Sequence, residues 1–136
     1  GMIVDWMEPM PTEVRVALEP MLNRWMPLLP TWVQSLSVEY EAESANVMHV
    51  RTHYTNRWAV IGVTGSWLKY DDTERQNALR HELVHVCVEP LRRAARNAVE
   101  ATAEEGPTRA LALKTLEEGL ESAVEDLAQC IGRLAG

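Results

Sequence analysis

Apolar and polar positions alternate along this chain in two rhythms, one of three and four residues and one of two. From Thr12, the apolar residues Val14, Leu18, Met21, Leu22 and Trp25 recur at steps of three and four, which predicts an amphipathic helix capped at Thr12. Pro20 lies inside that segment and is expected to bend or split it, and Pro27 and Pro30 end it. The rhythm then changes. In WVQSLSVEYE, Leu36, Val38 and Tyr40 alternate with polar residues, as in a half-buried strand. AESAN reads as a turn, and NVMHVRTHY alternates again, with Met48, Val50, Thr52 and Tyr54 on one face and His49, Arg51 and His53 on the other. RWAVIGV follows after Thr55-Asn56, a link short enough for a hairpin. These segments predict a small three-stranded antiparallel sheet.

Helical spacing returns in the second half. Gly65 to Lys69 predicts a short helical turn, and Asp71 or Asp72 can cap a long helix from about 73 to 99. Its expected core stripe is Leu79, Leu83, Val86, Cys87 and Ala94, with a kink at Pro90. Gly106-Pro107 is a stop and restart signal. A last helix is predicted from about 108 to 134, burying Leu113, Leu116, Leu120, Val124, Leu127, Ile131 and Leu134. The expected fold is therefore α+β: an N-terminal helix, three antiparallel strands and two long helices.

Composition narrows what such a fold does. A chain of 136 residues, 46% hydrophobic, suffices for one domain, expected to span residues 2–136 because Gly1 before Met2 reads as a remnant of tag removal. The net charge of -7 opposes a nucleic-acid partner. No apolar run is long enough for a membrane span, so a soluble, cytoplasmic protein is expected. Cys87 and Cys130 form no CxxC pair and read as reduced thiols buried in helix faces. The sequence says nothing of oligomeric state.

The chemistry is concentrated in RHELVHV, residues 80 to 86, which contains His81-Glu82-Leu83-Val84-His85. Four residues on a helix are one turn, so His81 and His85 can aim two imidazole nitrogens at one point. Zinc accepts imidazole at about 2.0 to 2.1 Å, and a catalytic zinc site keeps one position for water. Glu82 then stands beside that water as a general base. A shuffled chain with 4 His and this glutamate content would contain such a pattern about once in seventy. The ion needs a third ligand, and no histidine follows His85. The last helix offers Glu121, which borders the core beside Leu120 and Val124, and then Glu125, Glu117 and Glu118 in that order. His49 and His53 share a strand face that reads as solvated or substrate-facing, and Trp58 and Trp67 read as core residues.

With HELVH and the downstream Glu121-Ser122-Ala123-Val124-Glu125, the chain resembles the gluzincins, the thermolysin-like zinc peptidases, in a minimal single-domain form of bacterial or phage type. The resemblance covers residues 30 to 130 as an order of elements and implies a zincin-like fold and a zinc ion held by His81, His85 and Glu121. It implies that Glu125, where the family typically has aspartate, orients a ligating histidine. It further implies a peptide or protein substrate paired along an edge strand, Arg57 to Val63 or its neighbour. Tyr54, Tyr70, His49 and His53 are the candidates for stabilising an oxyanion. Two other readings remain open at this point: a zinc-binding or assembly module without turnover, and a helical regulatory protein without metal.

Overall fold

The computed structural model describes residues 2–136; Gly1, the expected tag remnant, lies outside them. Strand β1 (Val4–Trp6) leads into helix α1 (Thr12–Trp25), a single 3₁₀ turn at Met26–Leu28, and strand β2 (Ser35–Glu41). Strands β3 (Met48–His53) and β4 (Trp58–Thr64) follow, then the short α2 (Gly65–Leu68) and the long helices α3 (Asp72–Thr102) and α4 (Pro107–Leu134).

The expected three-stranded antiparallel sheet is corrected to a four-stranded mixed sheet of order β1-β2-β4-β3. β1 and β2 are parallel because α1 connects them as a crossover, a length of chain that a hairpin does not need. β2 and β4 are parallel too, and only β3 and β4 form the expected hairpin. β4 takes the centre because WAVIGVT is nearly apolar throughout: Ala59, Ile61, Gly62, Val63 and Thr64 are all buried. β3, with the partly or fully exposed His49, Arg51 and His53 on one face, is suited to an edge. The strand expected to receive a peptide, Arg57 to Val63, is thus paired on both sides and closed to one.

The helices follow the sequence more closely. In α1, Val14, Leu18, Leu22 and Trp25 are buried, but Pro11 rather than Thr12 stands at the N-cap, without a side-chain bond. Helix continues through the exposed Pro20 and, in α3, through Pro90. Asp71 caps α3: its carboxylate accepts from the Glu74 amide at 2.8 Å, while Glu74 accepts from the Asp71 amide at 3.3 Å. Arg75 adds bonds from its guanidinium to the carbonyls of Trp67 and Leu68, tying the start of α3 to α2.

α3 lies between two apolar layers. Leu79, Leu83 and Val86 join α1, the sheet and Trp67 in the main core. Val84 faces α4, where it meets Val124 and Ala128. Two expected members of the α3 stripe, Cys87 and Ala94, are exposed, because the sheet does not extend along the distal half of the helix. In α4 only Val124 of the expected set is fully buried; Leu113, Leu116, Leu120 and Ile131 are half-buried, and Leu127 and Leu134 are exposed. α4 packs on a single helix, and a helix-on-helix seam is narrower than the stripe its sequence offers. Cys130 is half-buried, and both thiols are free, so the expectation of two buried thiols is also corrected. No helix among the described residues is long and apolar enough to cross a membrane.

The capping box is the one local device at the start of α3 that a single substitution removes cleanly. Asp71→Ala should lower unfolding free energy by about 1 kcal/mol, read as a shift in the urea midpoint at unchanged m-value.

Candidate metal centre

His81 and His85 stand one turn apart on α3, on the strip of its surface between the two apolar layers. Both are half-buried. Their Nε2 atoms are 3.2 Å apart and their rings meet edge to face at 64°. Tetrahedral coordination at about 2.05 Å sets ligand atoms about 3.3 Å from each other, so the two nitrogens already have a ligand pair's spacing. From α4, Glu121 faces both: Oε1 is 2.7 Å from His81 Nε2 and Oε2 is 2.9 Å from His85 Nε2. One ligand atom from each of the three residues falls within 4.8 Å of the other two. Two imidazoles and a carboxylate form a donor set that several divalent transition-metal ions accept.

The remaining nitrogen of His81 has its own partner. Nδ1 lies 2.5 Å from Glu125 Oε2, one α4 turn beyond Glu121. A proton on Nδ1, donated to Glu125, leaves the Nε2 lone pair directed at the ion position. Glu125 is itself fixed: its Oε1 accepts from Asn77 Nδ2 at 3.1 Å and from Gln129 Nε2 at 2.8 Å. These bonds, the first of them from Gln129, hold its carboxyl below the usual range despite partial burial. Neither Asn77 nor Gln129 was singled out from sequence. The available signal was spacing, since Asn77 precedes His81 by four and Gln129 follows Glu125 by four.

Glu82 turns from the same helix into a trough of about 540 Å³ that also contains His81, His85 and Glu121. Burial pushes its carboxyl up to about 7, with Glu121 adding to the rise and His81 opposing it. Burial also lowers the His85 pKa against the pull of Glu121, which favours the neutral imidazole that ligation needs. A divalent cation between the histidines would favour the ionised form of Glu82.

The other candidates are dispersed. Glu117 is held by Arg92 at 3.0 Å and Arg96 at 3.1 Å, and Glu118 is on the exposed surface with Lys114 at 3.8 Å. His49 borders the trough, its Nε2 2.8 Å from Glu41, while His53 stacks on Trp58 at the hairpin end. Tyr70 borders an adjoining cavity shared with His81 and Glu82; Tyr54 instead packs on Trp32. Trp67 is fully buried in the core.

The far wall of the trough is the edge of β3, with Met48, His49, Val50, Arg51 and Thr52 all lining it. Thr64 N–H donates to the Val47 carbonyl at 3.3 Å, which marks Val47 and Thr64 as a hydrogen-bonded pair. Such pairs alternate along an antiparallel ladder, so His49, Arg51 and His53 bond to β4. The main-chain N–H and C=O groups of Met48, Val50 and Thr52 therefore point away from β4, at the free edge that borders the trough.

Comparison with protein-family models, curated proteins and solved structures returns no match for this chain.

Removing the Glu125 carboxylate should free the His81 ring. If the histidines hold zinc, Glu125→Ala weakens its binding by about 10- to 100-fold, measured by competition with a chromogenic chelator. Asn77→Ala should weaken it less, because Gln129 still holds Glu125.

Proposed function

We propose that the chain is a zinc-dependent peptidase of zincin-like architecture, acting on an extended peptide or protein segment. The observation that carries this reading is the convergence of His81, His85 and Glu121, with Glu82 in the trough beside them. Zinc is the ion the donor set suits; when bound it lowers the pKa of water and polarises a carbonyl. His81 and His85 hold it from α3 and Glu121 from α4, and Glu125 keeps the His81 ring turned.

The chain's own residues supply the rest. An extended substrate would lie along β3, where Met48, Val50 and Thr52 offer outward main-chain donors and acceptors in the trough that the histidines also line. Of the two strands the resemblance implied, Arg57 to Val63 and its neighbour, β3 is the one with a free edge. Glu82 takes a proton from the attacking water as its oxygen bonds to the carbonyl carbon. The same carboxyl then delivers that proton to the departing amine nitrogen as the C–N bond breaks. His49 and Tyr70 are the two oxyanion candidates bordering cavities that also contain Glu82. Two unpaired cysteines suit a reducing compartment such as the cytoplasm.

Purified without a histidine tag, the protein should contain about one zinc per chain by elemental mass spectrometry, and His81→Ala should lose it. Glu82→Gln should retain the zinc and cut peptide hydrolysis by at least about 100-fold. Metal absent from the wild type, with no thermal shift on adding zinc, would defeat the zinc assignment. Full zinc occupancy with no cleavage of a peptide library would instead favour a non-catalytic zinc module.

A further inference from the structure

On the opposite side of α3 from the trough lies a second groove, of about 530 Å³, walled by Arg24, Arg80 and Arg133 with Trp25, Gln76 and Gly132. Its charge is unusual for a chain of net charge -7. Among the described residues, none of the three arginines is in an ion pair. Gly136 also borders the groove.

Arg80 is only 8% exposed. Its Nε donates to the Ala128 carbonyl at 3.1 Å and one terminal nitrogen to Asn77 Oδ1 at 3.4 Å. The guanidinium lies against Gly132, where a Cβ would stand 2.4 Å from a terminal nitrogen. Arg24 approaches from α1, and both guanidinium carbons sit over the Trp25 ring, at 4.6 Å for Arg24 and 4.8 Å for Arg80. Two cations thus share one indole with no carboxylate between them. Glu125 is already engaged by His81, Asn77 and Gln129, and the nearby Asp72 accepts from Gln76.

Guanidinium groups with no ion-pair partner that keep spare donors, as Arg24 does beyond its bond to Gln76 Oε1 at 2.9 Å, bind oxyanions through paired N–H bonds. We propose that this groove binds a small oxyanion, a phosphate or carboxylate group carried on a compact organic body that rests on Trp25. Its volume exceeds that of a bare ion. The inference is independent of the zinc reading.

The test is calorimetric titration of the protein as purified with inorganic phosphate and, separately, with succinate, the arginine variants separating this groove from any ion held at the histidines. At least one probe should bind, and Arg24→Gln and Arg133→Gln should each weaken it by tenfold or more. Both positions are exposed, so neither variant endangers the fold as Arg80→Gln does. Lys114→Gln, on the remote surface, should bind as wild type. Binding of phosphate alone identifies a phosphate ester as the ligand class, and binding of succinate alone a carboxylate. Binding of neither, or binding unchanged in both arginine variants, overturns the proposal.

Discussion

The site depends on one constraint: α3 is buried on two sides at once. Leu79, Leu83 and Val86 face the sheet, and Val84 faces α4. A helix with 3.6 residues per turn whose positions 83, 84 and 86 are all fixed has no freedom left for 81 and 85. They must lie on the strip between the layers, where β3 ends on one side and α4 begins on the other. Burial also does the electrostatic work, since the same packing that orients Glu82 raises its pKa. Hydrophobic contacts, at about 25 cal/mol per Å² of apolar surface removed from water, thereby hold polar groups where isolated side chains would not stay.

Strand order supplies the second half of the geometry. Had β3 been central, its main chain would have been consumed by two neighbours. The insertion of β4 between β2 and β3 leaves one side of β3 free, and that side borders the trough. Exposed edges invite aggregation, and this one carries Arg51 and two histidines, residues that discourage edge-to-edge pairing.

Sequence made the helices legible because their signals are local. Spacing placed α1, α3 and α4 to within a few residues, and of the two candidate caps, Asp71 and Asp72, Asp71 is the one used. Sheet order was harder, since hydrogen bonds between β2 and β4 link residues 23 apart in register, such as Ser35 and Trp58. The apolar character of WAVIGVT was the one sign that it belongs in the centre, and β1, with three residues, offers too short a pattern to read. HELVH was visible as a motif, and Glu121 and Glu125 as candidates among many glutamates. Their ranking ahead of Glu117 rested on position beside the core, and the ion pairs of Glu117 with Arg92 and Arg96 were not readable. Such long-range pairing leaves no periodic trace.

Arg80 joins the two sides of α3. Burying a guanidinium without a carboxylate partner is costly, and here the cost is offset by the Ala128 carbonyl, Asn77 and the face of Trp25. Two of those partners also serve the histidine side: Ala128 is on α4, and Asn77 holds Glu125. Gly132 leaves the guanidinium its place against α4, since a Cβ there would stand 2.4 Å from a terminal nitrogen. The same two helices thus hold the cation on one side of α3 and bring the carboxylates to His81 on the other.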